Sequence, residues 1–242
     1  MSTRAFFEAL PDALPPGGLN EIVPARPRDA AAAAGFAAAL ALRAAAKAGG
    51  VVWIAEDMAA REIGLPYAKG LEALGLDPAR LVVVRTREPR ETLWTMEEAL
   101  KSRAAAVVAE SWLSMAAYEL SVSRRLALAA RRGGALGLLL LLRAHGQGVR
   151  LASAAQLRFE VAAPAPPRGP PEGGAPLPGP LGWRLRLVKA RLGAGSSALD
   201  APDWREIFFD SDEGAFRHAF PERLPAEPPD RPDLAPARAL GA

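Results

Sequence analysis

The chain has no cysteine among its 242 residues, and this absence excludes several kinds of chemistry. Without thiols, no disulfide framework, thiolate nucleophile or cysteine-ligated zinc site can form. Histidine is almost as scarce, because His145 and His218 are the only two and lie far apart without a neighbouring ligand pattern. We therefore expect no metal site.

An excess of one charge and long apolar runs are also lacking. The 30 Lys and Arg residues against 27 Asp and Glu residues leave a net charge of +3, which permits contact with nucleic acid but does not by itself indicate it. The N-terminal stretch lacks the apolar core of a signal peptide, and residues 30–42 are too short to cross a bilayer before Arg43 interrupts them. We expect a soluble, cytoplasmic protein without a membrane segment.

Short apolar runs that alternate with helical segments dominate the first 148 residues. Four uninterrupted runs are typical of parallel strands covered on both faces. They are residues 51–55, 81–85, 105–110 and 135–142. Crossover helices are predicted over residues 30–48, 66–74, 90–103 and 113–131. Right-handed crossovers then predict an α/β fold, an open doubly wound sheet with helices on both faces.

The pattern changes after Gly148. Apolar and polar residues alternate in QLRFEV (156–161), as in a strand with one wet face, and WRLRLVKARL (183–192) and WREIFFD (204–210) are similar β-rich runs. These predict antiparallel strands added at one edge of the sheet. The proline- and glycine-rich residues 164–180 predict a mobile loop, and residues 221–242 a disordered tail. Residues 1–13 would form an N-terminal arm and residues 14–220 one core domain.

Several segments resemble, in order and spacing, the RecA-like ATPase core. The resemblance covers residues 14–210: LPPGGLNEI, an alanine-rich helix, two strands that each end in an acid, an apolar strand, and antiparallel strands containing LVKARL. Within that superfamily, the segments GGLNEI, DAAAAAGFAAALALR, VVWIAED, LWTMEEAL and LVKARL resemble the ImuA family, accessory proteins of bacterial damage-induced mutagenesis. The resemblance implies a RecA-like, mostly parallel sheet.

One junction departs from the ATPase pattern. A phosphate loop needs converging backbone N–H groups, glycines that allow positive φ, a lysine and a magnesium-binding hydroxyl. This chain has PARPRD there, in which Pro24 and Pro27 each remove an N–H group, and no glycine occurs between Val23 and Ala34. The departure predicts a non-catalytic protein that holds no nucleotide or other cofactor.

Four residues nevertheless stand at positions of a nucleotide site. Arg26 and Arg28 could contact a phosphate, although a solvated arginine beside a helix start is the alternative, and Asp29 offsets Arg28. The resemblance matches Glu56 to the acid that positions the attacking water and Glu110 to the magnesium-coordinating acid. Without the lysine and the hydroxyl they cannot organise phosphoryl transfer, so we interpret the site as vestigial.

Other residues are candidates for partner contact. The resemblance matches Lys189 and Arg191 to cations that reach a neighbouring subunit in a RecA filament, and the alternative is a pair of cations that protects an edge strand from aggregation. Phe6 and Ala9 have the F-x-x-A spacing with which RecA-like recombinases dock onto a neighbour, and a hydrophobic staple is the alternative.

DNA contact is predicted only weakly. RAHGQGVR (143–150) is a shortened counterpart of a RecA DNA loop, and Arg143 and Arg150 are its candidate contacts. Arg143 also replaces the glutamine that senses nucleotide in RecA, which implies that the chain does not perform strand exchange alone.

The resemblance implies an adaptor in SOS-induced translesion synthesis. Its partners would be ImuB, a polymerase-like protein, and an error-prone DNA polymerase III alpha subunit, while contact with RecA and self-association remain open. Two alternatives also remain: a cell-division inhibitor like SulA, another shortened RecA-like fold, and a nucleotide-binding ATPase with a non-standard pocket.

Overall fold

The computed structural model describes residues 6–7, 10, 14, 16–47, 49–113, 118–144, 152–164, 181–191, 201–211 and 213–217. Their strands are β1 (Leu19–Pro24), β2 (Val51–Glu56), β3 (Leu81–Thr86), β4 (Ala106–Ser111), β5 (Leu136–Leu141), β6 (Leu157–Ala162), β7 (Gly182–Ala190), β8 (Ala201–Asp210) and β9 (Ala215–Arg217). Their α-helices are α1 (Ala30–Lys47), α2 (Asp57–Ile63), α3 (Ala68–Ala73), α4 (Pro89–Lys101) and α5 (Leu120–Gly133). Short 3-10 helices at Pro27–Asp29 and Pro78–Arg80 precede α1 and β3.

The nine strands of the described residues form one mixed sheet in the order β3-β2-β4-β5-β1-β6-β7-β8-β9. The six strands from β3 to β6 are parallel, and β7, β8 and β9 continue the sheet in antiparallel pairing. Helix α1 covers one face, while α4 and α5 cover the other. This arrangement confirms the predicted α/β fold, with a mostly parallel sheet and antiparallel strands at one edge.

Strand β6 corrects one detail of that prediction. It pairs with β1 in parallel, and all six of its residues are buried, so it has no wet face. Arg158 and Glu160, whose alternation with apolar residues suggested solvent, instead meet charges inside the protein. Arg158 binds Glu21, and Glu160 binds Arg186. A buried charge with an internal partner leaves the same alternating pattern as a solvated one.

Strand β3 corrects a second detail. Its apolar run was expected to be covered on both faces, but it lies at the edge of the sheet, with Val82 57% and Val83 42% exposed. The composition of the strand therefore resembles that of the interior strands, whereas its position does not.

Helix α1 passes the length and composition test for a membrane span. The segment Pro27–Ala46 has a mean hydropathy of 1.3, and it continues past Arg43, which corrects the shorter span expected from sequence. However, 61% of the tested window is buried inside the protein, where Phe36 packs edge-on against Phe159 and Trp183. A core helix of a globular domain satisfies the same test, so this is weak evidence for a membrane segment.

The helices of the opposite face begin and end near the predicted positions. Helix α4 starts at Pro89, and α5 ends where Gly134 adopts a left-handed φ of 78°, as the Gly133-Gly134 stop predicts. Helix α5 starts at Leu120, seven residues later than expected, and the additional helix α2 directly follows β2.

The described residues of the N-terminal arm belong to the core. Phe6, Phe7 and Leu10 are buried, and the ring of Phe6 stacks on Phe159 with centroids 6.4 Å apart. Because Phe6 is fully buried in its own chain, the prediction that it docks onto a neighbour is corrected. Ala9, the loop at 165–180 and the tail at 221–242 lie outside the described residues.

Candidate functional site

The junction between β1 and α1 is filled by an ion pair of the chain itself. Asp29, 1% exposed, closes the short 3-10 helix before α1. Its Oδ2 accepts from Arg26 Nε at 2.8 Å, and its Oδ1 accepts from Arg26 Nη2 and from the backbone N–H of Ala163, both at 3.2 Å. The carboxylate thus occupies the position at the start of the helix where a phosphate loop would turn its donors towards an anion.

The charge of Asp29 is stabilised in place. Burial alone would raise its pKa, but hydrogen bonds from Arg26 and Ala163 and the charges of Arg26 and Arg28 outweigh burial and hold the pKa below its ordinary value. The partner of Asp29 is therefore Arg26, whereas the sequence suggested Arg28, which is exposed and makes only a longer-range contribution. The donors of Arg26 and Ala163 are taken up by this carboxylate rather than gathered around a phosphate, so the junction does not fit a nucleotide.

Glu56, at the end of β2, is satisfied by the neighbouring strand. It is 1% exposed, and its Oε2 accepts from Ser111 Oγ at 2.7 Å and from the backbone N–H of Trp112 at 3.0 Å. Burial raises its pKa, with the nearby charge of Asp57 adding to that effect and the two donors opposing it. The carboxylate therefore joins the ends of β2 and β4 rather than facing an open site.

Glu110, at the end of β4, points to the other side of the sheet. Side chains alternate between the two faces along β4. Val108, two residues before Glu110, packs on the face covered by α1, whereas Ala109 packs on the face covered by α4 and α5. Ser111, two residues after Ala109, lies on the same face as Ala109 and binds Glu56 there. Glu110, two residues after Val108, lies on the α1 face. The two acids that the resemblance assigns to one nucleotide site are thus on opposite faces and do not converge.

Burial controls the ionisation of Glu110. The side chain is 2% exposed, and burial raises its pKa to about 7, only weakly opposed by the indole N–H of Trp53, which lies nearby without ordinary hydrogen-bond geometry. Its Oε2 has no hydrogen-bond partner among the described residues. Among the residues that the structure describes, no three His, Cys, Asp or Glu side chains cluster as metal ligands would.

A buried polar network links β1, β6 and β7. Glu21 is fully buried, and its two oxygens accept from Tyr118 Oη at 2.8 Å and from Arg158 Nε at 2.6 Å. Arg158 Nη2 also donates to Ser153 Oγ at 3.2 Å. Lys189 lies directly opposite Arg158 in the sheet and donates from Nζ to the carbonyl and the Oγ of Ser153, at 2.7 and 2.8 Å.

Lys189 is half-buried, and its ammonium group donates to Ser153. Burial is the main cause that lowers its pKa to about 8, and the charges of Arg158 and Arg191 add to that effect while Glu21 opposes it. Strand β7 lies between β6 and β8, so it is not an edge strand of the described sheet. The alternative of an edge-strand cation is therefore wrong for Lys189, while its contact with a neighbour stays a prediction.

Arg191 differs from Lys189 because its side chain is exposed. It lies beside Arg124 of α5 at the mouth of a small cavity of about 300 Å³, walled by residues 152–154. Neither arginine makes an ion pair within the described part of the chain. Of the two predicted interface cations, Arg191, directly after β7, is the more exposed.

A larger groove lies between α4 and α5, on the face opposite α1. Its volume is about 920 Å³, and it collects residues that follow three strands of the parallel part of the sheet: the start of α4 after β3, Trp112 and Leu113 after β4, and Arg143 after β5. Trp94 of α4 is 60% exposed at this groove. Arg125 of α5 forms an ion pair with Glu97 on its wall.

The structure brings the predicted DNA contact Arg143 to this groove, with its side chain exposed. Arg150 lies outside the described residues. Trp94 and Trp112 were not among the predicted site residues, although Trp94 breaks the polar face of α4 and offered a signal. Glu21 also went unnoticed, although an acid within the apolar strand LNEIV indicates a buried polar contact.

Two known proteins are similar to the chain over most of its length. Protein ImuA of Caulobacter vibrioides (strain NA1000 / CB15N) is 39% identical over 191 residues, which cover 74% of this chain and 72% of that protein. Protein ImuA of Caulobacter vibrioides (strain ATCC 19089 / CIP 103742 / CB 15) is similar to the same extent. No protein-family model matches the chain.

Proposed function

The chain belongs to the ImuA family, and on that basis we propose that it is a non-catalytic accessory protein of SOS-induced mutagenesis. In this role it is an adaptor between an ImuB-like polymerase homologue and an error-prone DNA polymerase III alpha subunit during translesion synthesis. It acts in the cytoplasm by binding its partners through its surface, and it uses no cofactor.

One observation carries the non-catalytic part of the proposal. Asp29 fills the start of α1 with a buried carboxylate that is held by Arg26 and Ala163. Phosphoryl transfer depends on positive charge and donors gathered around the phosphates, and this position offers an anion instead. The separation of Glu56 and Glu110 on opposite faces of the sheet supports the same conclusion.

The groove between α4 and α5 is the surface that best suits the polymerase-like partner. Trp94 offers a large exposed ring, Trp112 is half-buried beside it, and Arg90 and Arg143 add exposed cations. Tryptophan and arginine are the residue types that most often dominate binding energy in protein interfaces. Arg191 is a secondary contact, and weak DNA contact through Arg143 is compatible with this arrangement.

The adaptor proposal is tested by immobilising this protein and measuring the affinity with which the purified ImuB-like protein binds to it. Trp94→Ala is expected to weaken binding by about 2 kcal/mol, roughly thirtyfold, whereas Tyr67→Ala, which truncates another exposed aromatic residue on the opposite face, leaves it unchanged. Arg143→Glu should also weaken binding, and Lys69→Glu is its matched exposed control. Full binding by Trp94→Ala and Arg143→Glu would refute the groove as the partner surface.

Three further measurements separate the alternatives. Isothermal titration with MgATP is expected to give no saturable signal, and saturable binding that Glu110→Ala abolishes would instead support an ATPase with a non-standard pocket. Overexpression is expected to leave cell division normal, whereas filamentation together with capture of the division tubulin would favour a SulA-like inhibitor. Affinity capture from DNA-damaged cells should recover the two polymerase partners.

A further inference from the structure

Strand β3 combines the composition of a buried strand with the position of an exposed one. Uninterrupted Leu and Val runs in parallel sheets occur where both faces are covered. Val82 is nevertheless 57% and Val83 42% exposed, and because successive side chains point to opposite faces, apolar surface is open on both sides of the sheet. Strand β2 pairs with one side of β3, and no strand of the described chain pairs with the other.

The opposite edge of the sheet shows how this protein protects an edge. Strand β9 has only three residues, and Arg217 there pairs with Asp210 and Glu213. Short length and charge are the usual means of preventing unwanted strand pairing. Strand β3 has six residues and one charged side chain, Arg85, which Asp57 holds at 2.5 Å. Strand β3 is twice as long as β9 and carries one charge in six residues rather than one in three, so its edge is less protected.

We infer that two copies of this protein pair through β3 in antiparallel orientation, so that the two sheets become continuous. In an antiparallel pair, residues directly opposite each other point to the same face of the sheet. A two-fold axis perpendicular to the sheet must therefore pass midway between one residue and the same residue of the partner. With the axis at Val83, Val82 is opposite the partner's Val84, and Leu81 is opposite the partner's Arg85. Arg80 is then opposite the partner's Thr86.

This register is self-complementary. It brings the valines together on both faces, and no two like charges are directly opposite each other, an arrangement that would destabilise the pair. A two-fold pair also uses the less protected edge of each copy once and therefore closes, whereas a head-to-tail contact would need a second complementary surface. The protected β9 edge does not offer such a surface.

Neighbouring apolar residues extend the surface on the face of Val83. The connection from β2 to β3 lies on that face, because Ala59, Leu71 and Leu76 pack into the core on the α1 side. This connection exposes Leu65 by 47% and Tyr67 by 70%. Both copies would bring the same residues towards the axis, and this supports a second copy as the occupant of the edge.

The oligomeric state of the purified full chain tests the inference. Light scattering coupled to gel filtration should detect dimers at micromolar concentrations. Val83→Lys places two ammonium groups together at the axis and should raise the dissociation constant by roughly a hundredfold, because like charges at an interface cost several kcal/mol. Lysine is common at exposed sheet edges, so the variant should fold, and circular dichroism checks this. Leu128→Lys, at a 52% exposed position of α5, should leave the dimer intact.

Because the chain has no cysteine, single-cysteine variants report the register directly. At Val83→Cys the two Cβ atoms would be about 5 Å apart, and mild oxidation should form a disulfide. At Val82→Cys the equivalent Cβ atoms would be about 7–8 Å apart and should not cross-link, and Leu128→Cys should not cross-link either.

A monomer at all concentrations, or a dimer unaffected by Val83→Lys, would overturn the inference and leave the edge for a strand of another protein. Cross-linking at Val82→Cys in preference to Val83→Cys would overturn the register. The experiment uses neither polymerases nor DNA, so its outcome is independent of the proposed adaptor function.

Discussion

Replacing Glu110 with glutamine should stabilise the protein at alkaline pH. Burial raises the pKa of Glu110 from 4.5 to about 7, so the ionised form destabilises the folded state relative to the unfolded state. The folded state then binds more protons between these two values, and stability falls as pH rises through that window. The difference between 4.5 and about 7 corresponds to about 3 kcal/mol.

Glutamine removes this ionisation cost but leaves amide donors in a buried position where Oε2 has no described partner, at a cost of about 1 kcal/mol. Glu110→Gln should therefore be slightly less stable than the wild type near pH 4 and more stable by about 2 kcal/mol near pH 8. Urea denaturation followed by tryptophan fluorescence across this range measures the difference.

Glu72→Gln is the matched control, because Glu72 is exposed and its neutralisation should change stability little at either pH. The reasoning would be refuted if the difference in unfolding free energy between Glu110→Gln and the wild type stayed constant from acid to alkaline pH. Such a result would mean that Glu110 ionises normally in the folded protein and that burial does not control its protonation.

Three further changes test the other buried polar and packed positions. Asp29→Asn should cost about 1–2 kcal/mol at neutral pH, and because the folded-state pKa of Asp29 is lowered, this loss should vanish in urea titrations as pH falls through that pKa. Arg158→Met leaves the Glu21 charge buried without its partner and should cost about 3–5 kcal/mol, whereas the double change with Glu21→Met should recover more than half in a double-mutant cycle. Gly133→Ala should lower stability by more than about 2 kcal/mol in thermal melts, because its Cβ would lie 1.9 Å from the backbone oxygen of Leu100.

The parts of the fold that follow from local pattern were predictable. Strands β2, β4 and β5 are interior strands, and their uninterrupted apolar runs predicted this position correctly. Strand β3 has the same composition, but its edge position follows from the order of the strands, which composition does not encode. For β6, the partner of Arg158 is Glu21, 137 residues earlier in the chain, so sequence alternation alone could not distinguish burial from exposure.

The features that the candidate site lacks were easier to predict from the sequence than the features that it contains. The missing glycines and the prolines of PARPRD were visible in the sequence, and the spacing of Arg26 and Asp29 was a local signal for their ion pair. The N–H of Ala163 that completes the environment of Asp29 comes from 134 residues away. The groove likewise exists only because α4 and α5 pack side by side, which brings Trp94 near Trp112.

The acids of this sheet show how a RecA-like frame can become self-contained. In a nucleotide-binding protein, the donors and charges at the ends of the parallel strands are completed by phosphates and a metal ion. Here Asp29 is completed by Arg26, Glu21 by Arg158 and Tyr118, and Glu56 by Ser111 and Trp112. The folded state therefore does not depend on a ligand to neutralise these three acids. This independence is compatible with the proposed adaptor function, which would act through the surface of the folded protein.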